Sequence, residues 1–511
     1  MDNKKAIVYL PKMGYATGEM PHLRKPPKNY MPGQNLYYLY TICKNLGYQT
    51  KVIDANWITD PLEKIVKFNA DKLFITSTTP CFEDAINIST NLLERNYSGQ
   101  IYIGGPHVNL NIEDRQFMLP KMKNVTYLNV KNSITTFEWI PKAFPGRSMF
   151  EVLGMPENDA KEYIIQRIQN ENETPTIDNL EPYIFSLLKP ESEWIKDTYH
   201  NPNIIPEMKN IEIRYSMITS IGCSNKCSFC GNPYTYQVNY KNERILRQIL
   251  TEFKSNNINQ VTVHDMFFFM SLEHARMVMK IFKELDMNFS IQTCLQNLEE
   301  ELMDELAVAG VKKILIGVEN PFSKTVDKKV KFDKLFRLLD YANTLKLKDC
   351  FKLSYIVGLP DMDYEIDLAL IKHIIDNMDK RNIPLTNLQV NLYTPYRPEP
   401  DLTYIKYEEK DMTRNIMYQL QDRRIIYILF KLPYRYWGIF PVGIGNEFDF
   451  TKQMKLCDLI YNHIYKEFVN QYLQVRQDFL KDLETFYPKL MKFVPSFDES
   501  KNEKFDNCVA I

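Results

Sequence analysis

Neither sign of charge is in excess: 63 Lys and Arg stand against 64 Asp and Glu, for a net charge of −1. That balance argues against a nucleic-acid partner held by bulk electrostatics and leaves only a local basic groove for one. The opening residues, "MDNKKAIVYL", lack the apolar stretch of a secretory signal. An uninterrupted apolar run of membrane length is missing as well. The nearest, "RIIYILFKLPYRYWGIFPVGIG" at Arg424–Gly445, is broken by Lys431, Arg435, Pro433 and Pro441 and reads as buried structure, not a span. The expected location is therefore the cytoplasm, where thiols stay reduced and the nine cysteines serve as ligands, reactive groups or core residues. The G-x-G-x-x-G turn of a dinucleotide fold is absent, which argues against NAD. No internal repeat beyond alternating strands and helices is found, and no long low-complexity tract.

What is present is enough chain, 511 residues, for roughly two to four domains. In residues 1–140, "AIVYL", "KVIDA", "DKLFITSTT", "QIYIGGPH" and "VTYLNV" read as strands. "NLYYLYTICKNLG" and "CFEDAINISTNLLERN" are amphipathic helices between them, the first stopping at Gly47. The expected fold is an open parallel α/β sheet covered on both faces, with ligands beyond the carboxyl ends of its strands. Residues 141–205 lose this pattern and read as a connector. It returns over 206–400 in "EIRYSMITSIG", "QVTVHDMFF", "NFSIQTC", "VKKILIGVE", "FKLSYIVGLP" and "NLQVNLYTPY". These six strands, with helices such as "NERILRQILTEFK" and "EEELMDELAVAG", predict a curved or partial (β/α)6 barrel with chemistry at its C-terminal rim. Residues 401–511 are rich in Tyr, Phe and Lys and are expected to be mainly helical.

Three cysteines crowd the loop after the first strand of the second sheet: Cys223, Cys227 and Cys230 in "IGCSNKCSFCGNP". Structural zinc takes four ligands, usually from two knuckles, and no second knuckle follows. A three-ligand catalytic zinc has no supporting His or carboxylate nearby. Three thiolates on one loop suit three corners of a cubic iron–sulfur cluster, leaving the fourth iron for a small molecule. The plain alternative is three unrelated core cysteines.

At this motif the sequence resembles the radical S-adenosylmethionine (radical SAM) superfamily, defined by C-x3-C-x2-C with an aromatic, here Phe229, before the last cysteine. The resemblance implies a [4Fe-4S] cluster on Cys223, Cys227 and Cys230 and S-adenosylmethionine chelated to the open iron. One electron from the cluster then cleaves the sulfonium to methionine and a 5′-deoxyadenosyl radical. It also implies an external electron donor such as a flavodoxin or ferredoxin. Across the second sheet it points to Asp265 near the methionine moiety, Glu319 of "ILIGVEN" near the ribose, Gly358 of "YIVGLPD" near the adenine, and Gln292 facing the cavity.

The first domain resembles the Rossmann-like cobalamin-binding domain of one large subgroup, most closely in "YIGGPHVNL". That resemblance implies corrin contacts at Ser77, Thr78, Gly104, Gly105 and Pro106, where glycines would permit close approach of a planar ligand. The D-x-H-x-x-G motif of other cobalamin proteins is absent, and His107 reads as a loop histidine. A vestigial, cofactor-free domain is the alternative. The implied activity is cobalamin-dependent methylation of an unactivated carbon in a small-molecule substrate. A radical rearrangement, cyclisation or C–C bond formation is the second possibility, and a non-catalytic cobalamin or metal carrier the third. Arg397 and Glu399 stand as either substrate contacts or a surface turn, and Cys457 as either a radical donor or persulfide site or a plain buried thiol, with Cys294 read in the same way.

Overall fold

A computed structural model describes residues 4–12, 29–78, 81–110, 124–128, 139–170, 212–225, 227, 230, 238–323, 331–359, 362, 364–393, 402–406, 416–420, 425–428, 447–465, 469–486 and 488–497, with isolated positions between 184 and 198. The first sheet has five parallel strands: β1 (Lys5–Leu10), β2 (Gln49–Asp54), β3 (Lys72–Thr76), β4 (Gln100–Gly104) and β5 (Val125–Leu128). Their spatial order is β2-β1-β3-β4-β5. The central strands are apolar runs buried throughout, as a sheet covered on both faces requires. The order reverses between β1 and β3, the switch point beyond whose carboxyl ends a doubly wound sheet usually takes its ligand.

Helix Gln34–Asn45 buries Leu36, Tyr37, Tyr38, Tyr40, Thr41, Ile42 and Cys43, more than one face of a helix. The excess has a cause: this helix touches both sheets. Its Tyr37 ring stacks on Tyr215 of the second sheet with centroids 6.3 Å apart. Just before it, the short strand Asn29–Tyr30 pairs in parallel with Glu212–Ile213, and the Met31 sulfur lies 3.4 Å from His264 Nε2. The segment expected as a connector begins by packing on the first sheet. Phe144 rests against Phe74 at 5.4 Å, and Asn45 Nδ2 donates to the Val152 carbonyl at 3.0 Å.

The second sheet has six parallel strands in simple sequence order: β6 (Tyr215–Met217), β7 (Gln260–Val263), β8 (Asn288–Cys294), β9 (Val311–Gly317), β10 (Phe351–Val357) and β11 (Leu388–Leu392). Helix Glu243–Ser255 buries Ile245, Leu246, Ile249, Leu250 and Phe253, the stripe its spacing predicts. Helix Glu300–Ala309 ends at Gly310. The stretch expected as one long first strand is divided. Tyr215–Met217 joins the parallel sheet, while Ser220–Ile221 turns away to pair antiparallel with Asn239–Tyr240.

Among the described residues, 401–511 carry the expected helices together with strands that the composition does not announce. They begin with a three-stranded antiparallel sheet, Leu402–Lys406, Ile416–Leu420 and Ile425–Ile428. β-Branched and aromatic residues dominate "LTYIK", "IMYQL" and "IIYI", a composition that fits a pleated surface better than a helix. Helices Glu447–Leu459 and Val469–Phe486 follow. They are joined by a buried ion pair in which Arg476 Nε donates to Asp458 Oδ1 at 2.9 Å, with Tyr472 bonding the same oxygen at 2.6 Å. The Tyr465 hydroxyl fastens this unit to β11, accepting from Val390 N at 3.1 Å and donating to Val390 O at 3.3 Å. Among the described residues no helix is long and apolar enough to cross a membrane.

Candidate functional site

The cysteine loop leaves the carboxyl end of β6, and its base is closed by the two-residue ladder Ser220↔Tyr240 and Ile221↔Asn239. Cys227 is buried and Cys223 and Cys230 are half-buried, so the trio sits at a protected surface. Cys230 N donates to Cys227 O at 3.1 Å, which ties two of the three cysteines through the backbone. Among the described residues no three His, Cys, Asp or Glu side chains converge on a point that one ion would fill. A cubic cluster asks for something different, one thiolate per iron at separate corners, and an all-thiol donor set on one loop fits it. Phe229 lies outside the described residues, as do Arg397 and Glu399.

Asp265, two residues past β7, is fully buried. Its Oδ1 accepts from the amides of Thr219 (2.6 Å) and Ser220 (2.9 Å), and its Oδ2 from their hydroxyls at 2.5 and 2.8 Å. Both oxygens are thus filled by the protein's own donors. The sequence expectation placed this carboxylate beside the methionine moiety; the geometry makes it the anchor of the cysteine loop's first stem. The same bonds explain why the first strand breaks, since Thr219 and Ser220 direct their amides to a side chain instead of a ladder. Burial pushes the Asp265 carboxyl above its ordinary range, and the four hydrogen bonds oppose that. His274 adds a 3.1 Å contact from Nε2 to Thr219 Oγ1. Lys241, next to the hairpin, is buried too; burial brings its amine down to about 7, with Asp265 pulling the other way. Its Nζ stands 5.7 Å from the Tyr38 ring of the first domain.

The next strand ends carry the remaining expected positions. Gln292 on β8 donates through Nε2 to the Asp265 backbone carbonyl at 2.8 Å, so its amide nitrogen braces the neighbouring strand exit. Glu319, just past β9, is buried and holds φ +52°, a left-handed backbone that a glutamate adopts only under constraint. The constraint is visible: Val318 N and Glu319 N both donate to the Ser354 carbonyl, at 2.9 and 3.0 Å. Gly358, just past β10, has φ +75° and donates its N–H to Asp367 Oδ2 at 2.7 Å. Sequence reading missed Asp367, yet a signal exists. On helix Tyr364–Asp379 it falls in line with buried Ile371, Ile374 and Met378, a carboxylate on the apolar stripe.

At the first sheet's edge, Ser77 is buried, Thr78 and Pro106 are exposed, and Gly104 and Gly105 lie between those extremes. Ser77 N donates to Gly104 O at 2.7 Å, and His107 N donates to Ser77 O at 3.2 Å. Gly105 has φ +108°, and a Cβ added there would fall 2.5 Å from the Ser77 carbonyl oxygen. The glycine is therefore required by the loop beside it. That reason stands beside the close approach of a planar ligand expected from the sequence. His107 is buried with its ring 4.0 Å from Phe82, as part of the core. Thr78 bonds Cys81 through N and Oγ1 at 3.1 and 3.2 Å, which settles that cysteine as a local structural group.

Comparison with known proteins bears on this arrangement. Residues 217–372 match the sequence model of the Radical SAM superfamily. An uncharacterized methyltransferase of Pyrococcus horikoshii is 21% identical over 376 residues, 71% of this chain and 76% of the relative. Cytidylyl-2-hydroxyethylphosphonate methyltransferase of Streptomyces wedmorensis is 23% identical over 155 residues, 29% of each chain. Among solved structures, the radical S-adenosylmethionine methyltransferase TsrM of Kitasatospora setae, with tryptophan substrate and a SAM analog bound, shares the fold. The TM-score is 0.51 at 13% identity, over 79% of each chain. The matched segment runs from the end of β6 through the cysteine trio to the helix that carries Asp367, so the second sheet and its cysteine loop match the Radical SAM superfamily and, with the methyltransferase relatives, support an enzyme.

Proposed function

We propose that this chain is a cobalamin-dependent radical SAM methyltransferase that methylates an unactivated carbon of a small-molecule substrate. The observation carrying the proposal is a doubly wound sheet with a switch point between β1 and β3, joined directly to a radical SAM-type domain through helix Gln34–Asn45. The methyltransferase relatives support methyl transfer as the outcome. When bound, the cluster supplies one electron for cleavage of S-adenosylmethionine, and cobalamin supplies a transferable methyl group.

Cys223, Cys227 and Cys230 would hold the cluster, with Asp265 and the Ser220–Ile221 hairpin fixing the loop that bears them. Glu319 would accept hydrogen bonds from the ribose hydroxyls, and backbone at Gly358 would meet the adenine. Ser77, Thr78, Gly104, Gly105 and Pro106 would line the corrin side. A flavodoxin or ferredoxin is the expected reductant, and the cytoplasm the expected location.

One observation favours a second reading, a radical SAM rearrangement, cyclisation or C–C bond-forming enzyme whose first domain binds no cobalamin. Gly105 already has a sufficient reason in Ser77, so the glycine pair does not by itself demand a corrin. Anaerobic reconstitution with iron, sulfide and hydroxocobalamin, followed by desalting and reduction with S-adenosylmethionine, separates the two. Retained corrin absorbance, with S-adenosylhomocysteine formed only when cobalamin is supplied, supports the proposal. 5′-Deoxyadenosine without retained corrin supports the second reading. No cleavage of S-adenosylmethionine with any reductant removes both.

A further inference from the structure

The buried carboxylate of Asp367 lies outside the motifs singled out from the sequence, yet it joins three points of the second sheet's rim. It sits in the first turns of helix Tyr364–Asp379. Its Oδ2 accepts from Gly358 N at 2.7 Å, and its Oδ1 from Asn320 Nδ2 at 2.7 Å and the Tyr355 hydroxyl at 3.4 Å. Asn320 directly follows Glu319 and is fully buried; its Oδ1 accepts from Phe322 N at 3.2 Å and its carbonyl from Ser323 N at 3.2 Å. The Glu319 turn is therefore gripped from both sides, by the Ser354 carbonyl before it and by Asp367 through Asn320 after it.

A buried carboxylate is costly unless its oxygens are filled, and the donors that fill this one come from the exits of two different strands. Its donors include two amides and a phenol. Such an arrangement sets the distance between the β9 and β10 exits and holds Glu319 in its left-handed backbone.

We infer that Asp367 is a positioning residue for the adenosyl half of S-adenosylmethionine, fixing the Glu319 turn and the Gly358 amide as one unit. The inference rests on the reading that Glu319 and Gly358 meet the ribose and adenine. It predicts a selective defect. The cysteine loop is tied by Asp265 on the other side of the sheet, so loss of Asp367 leaves cluster assembly and methionine binding at the open iron unchanged. Affinity for intact S-adenosylmethionine falls.

The test is calorimetric titration of reconstituted full-length enzyme with S-adenosylmethionine, and with methionine alone followed by the cluster's electron paramagnetic resonance signal. Asp367→Asn is expected to weaken S-adenosylmethionine binding about tenfold or more, since a hydrogen bond to a charged group is lost at each strand exit. Methionine binding and iron content should stay at the wild-type level. Combined with Glu319→Gln, the two losses should be less than additive, because one acts through the other.

Wild-type affinity in Asp367→Asn, with Glu319→Gln weakened, overturns the inference and leaves the Glu319 reading standing. Equal losses for methionine and S-adenosylmethionine overturn it as well, since they mark a general collapse of the site. Weakened binding in Asp367→Asn with normal binding in Glu319→Gln refutes the Glu319 reading and supports Asp367 acting through Gly358. Should Asp367→Asn fail to fold, Asn320→Ala carries the same selective expectation and the same overturning results.

Discussion

The two parallel sheets are built alike, and their carboxyl rims are fastened by different means. In the first, the loops after β3 and β4 lock to each other backbone to backbone, Ser77 against Gly104 and His107, with no charged group involved. In the second, loops hang from buried carboxylates: Asp265 draws in the β6 exit and Asp367 the β9 and β10 exits. A backbone lock depends on the absence of a side chain, so steric change is its weakness. A carboxylate hub depends on one group that several donors share, so its weakness is the loss of that group.

The largest effect separates chemistry from scaffolding. Cys227→Ala should abolish iron–sulfur absorbance and S-adenosylmethionine cleavage while the far-ultraviolet circular dichroism stays that of the wild type. Next comes the hub. Asp265→Ala leaves four donors without their acceptor and should cost about 3 kcal/mol or more in urea unfolding, with a parallel fall in iron incorporated on reconstitution. If the first sheet's lock is steric, Gly105→Ala should cost about 2 kcal/mol, because the new methyl strikes the Ser77 backbone at an unfavourable φ. Iron content should not change in that variant. A Gly105→Ala protein of wild-type stability would erase the contrast between the rims.

The smallest effect is a pH slope. Lys241 sits near 7 in the fold, against an ordinary value of 10.5. Between those values the unfolded chain binds the additional proton, so stability should climb as pH rises through this window and level off above it. Lys241→Met should flatten that climb, read from urea midpoints at about pH 7 and about pH 9.

Much of this was legible in the residues themselves. The "NFSIQTC" strand, the apolar stripe of "NERILRQILTEFK" and the cysteine spacing each appear in the structure where the sequence puts them. What escaped notice are groups whose meaning lies in a partner distant in sequence. Asp265 was singled out, but its task depends on Thr219 and Ser220, 46 and 45 residues earlier. Asp367 owes its meaning to Asn320 and Gly358, 47 and 9 residues earlier. The strands after residue 401 are marked only by short runs of β-branched and aromatic residues within a Tyr-, Phe- and Lys-rich region.

The phenol of Tyr465 has a further consequence. It occupies both outward backbone groups of Val390, at the middle of the strand that ends the six-stranded sheet. An uncovered margin of that kind invites a second chain to add a strand of its own. Tyr465 covers that margin at Val390, and shortening the chain ahead of it should yield a protein that self-associates before its six-stranded sheet unfolds.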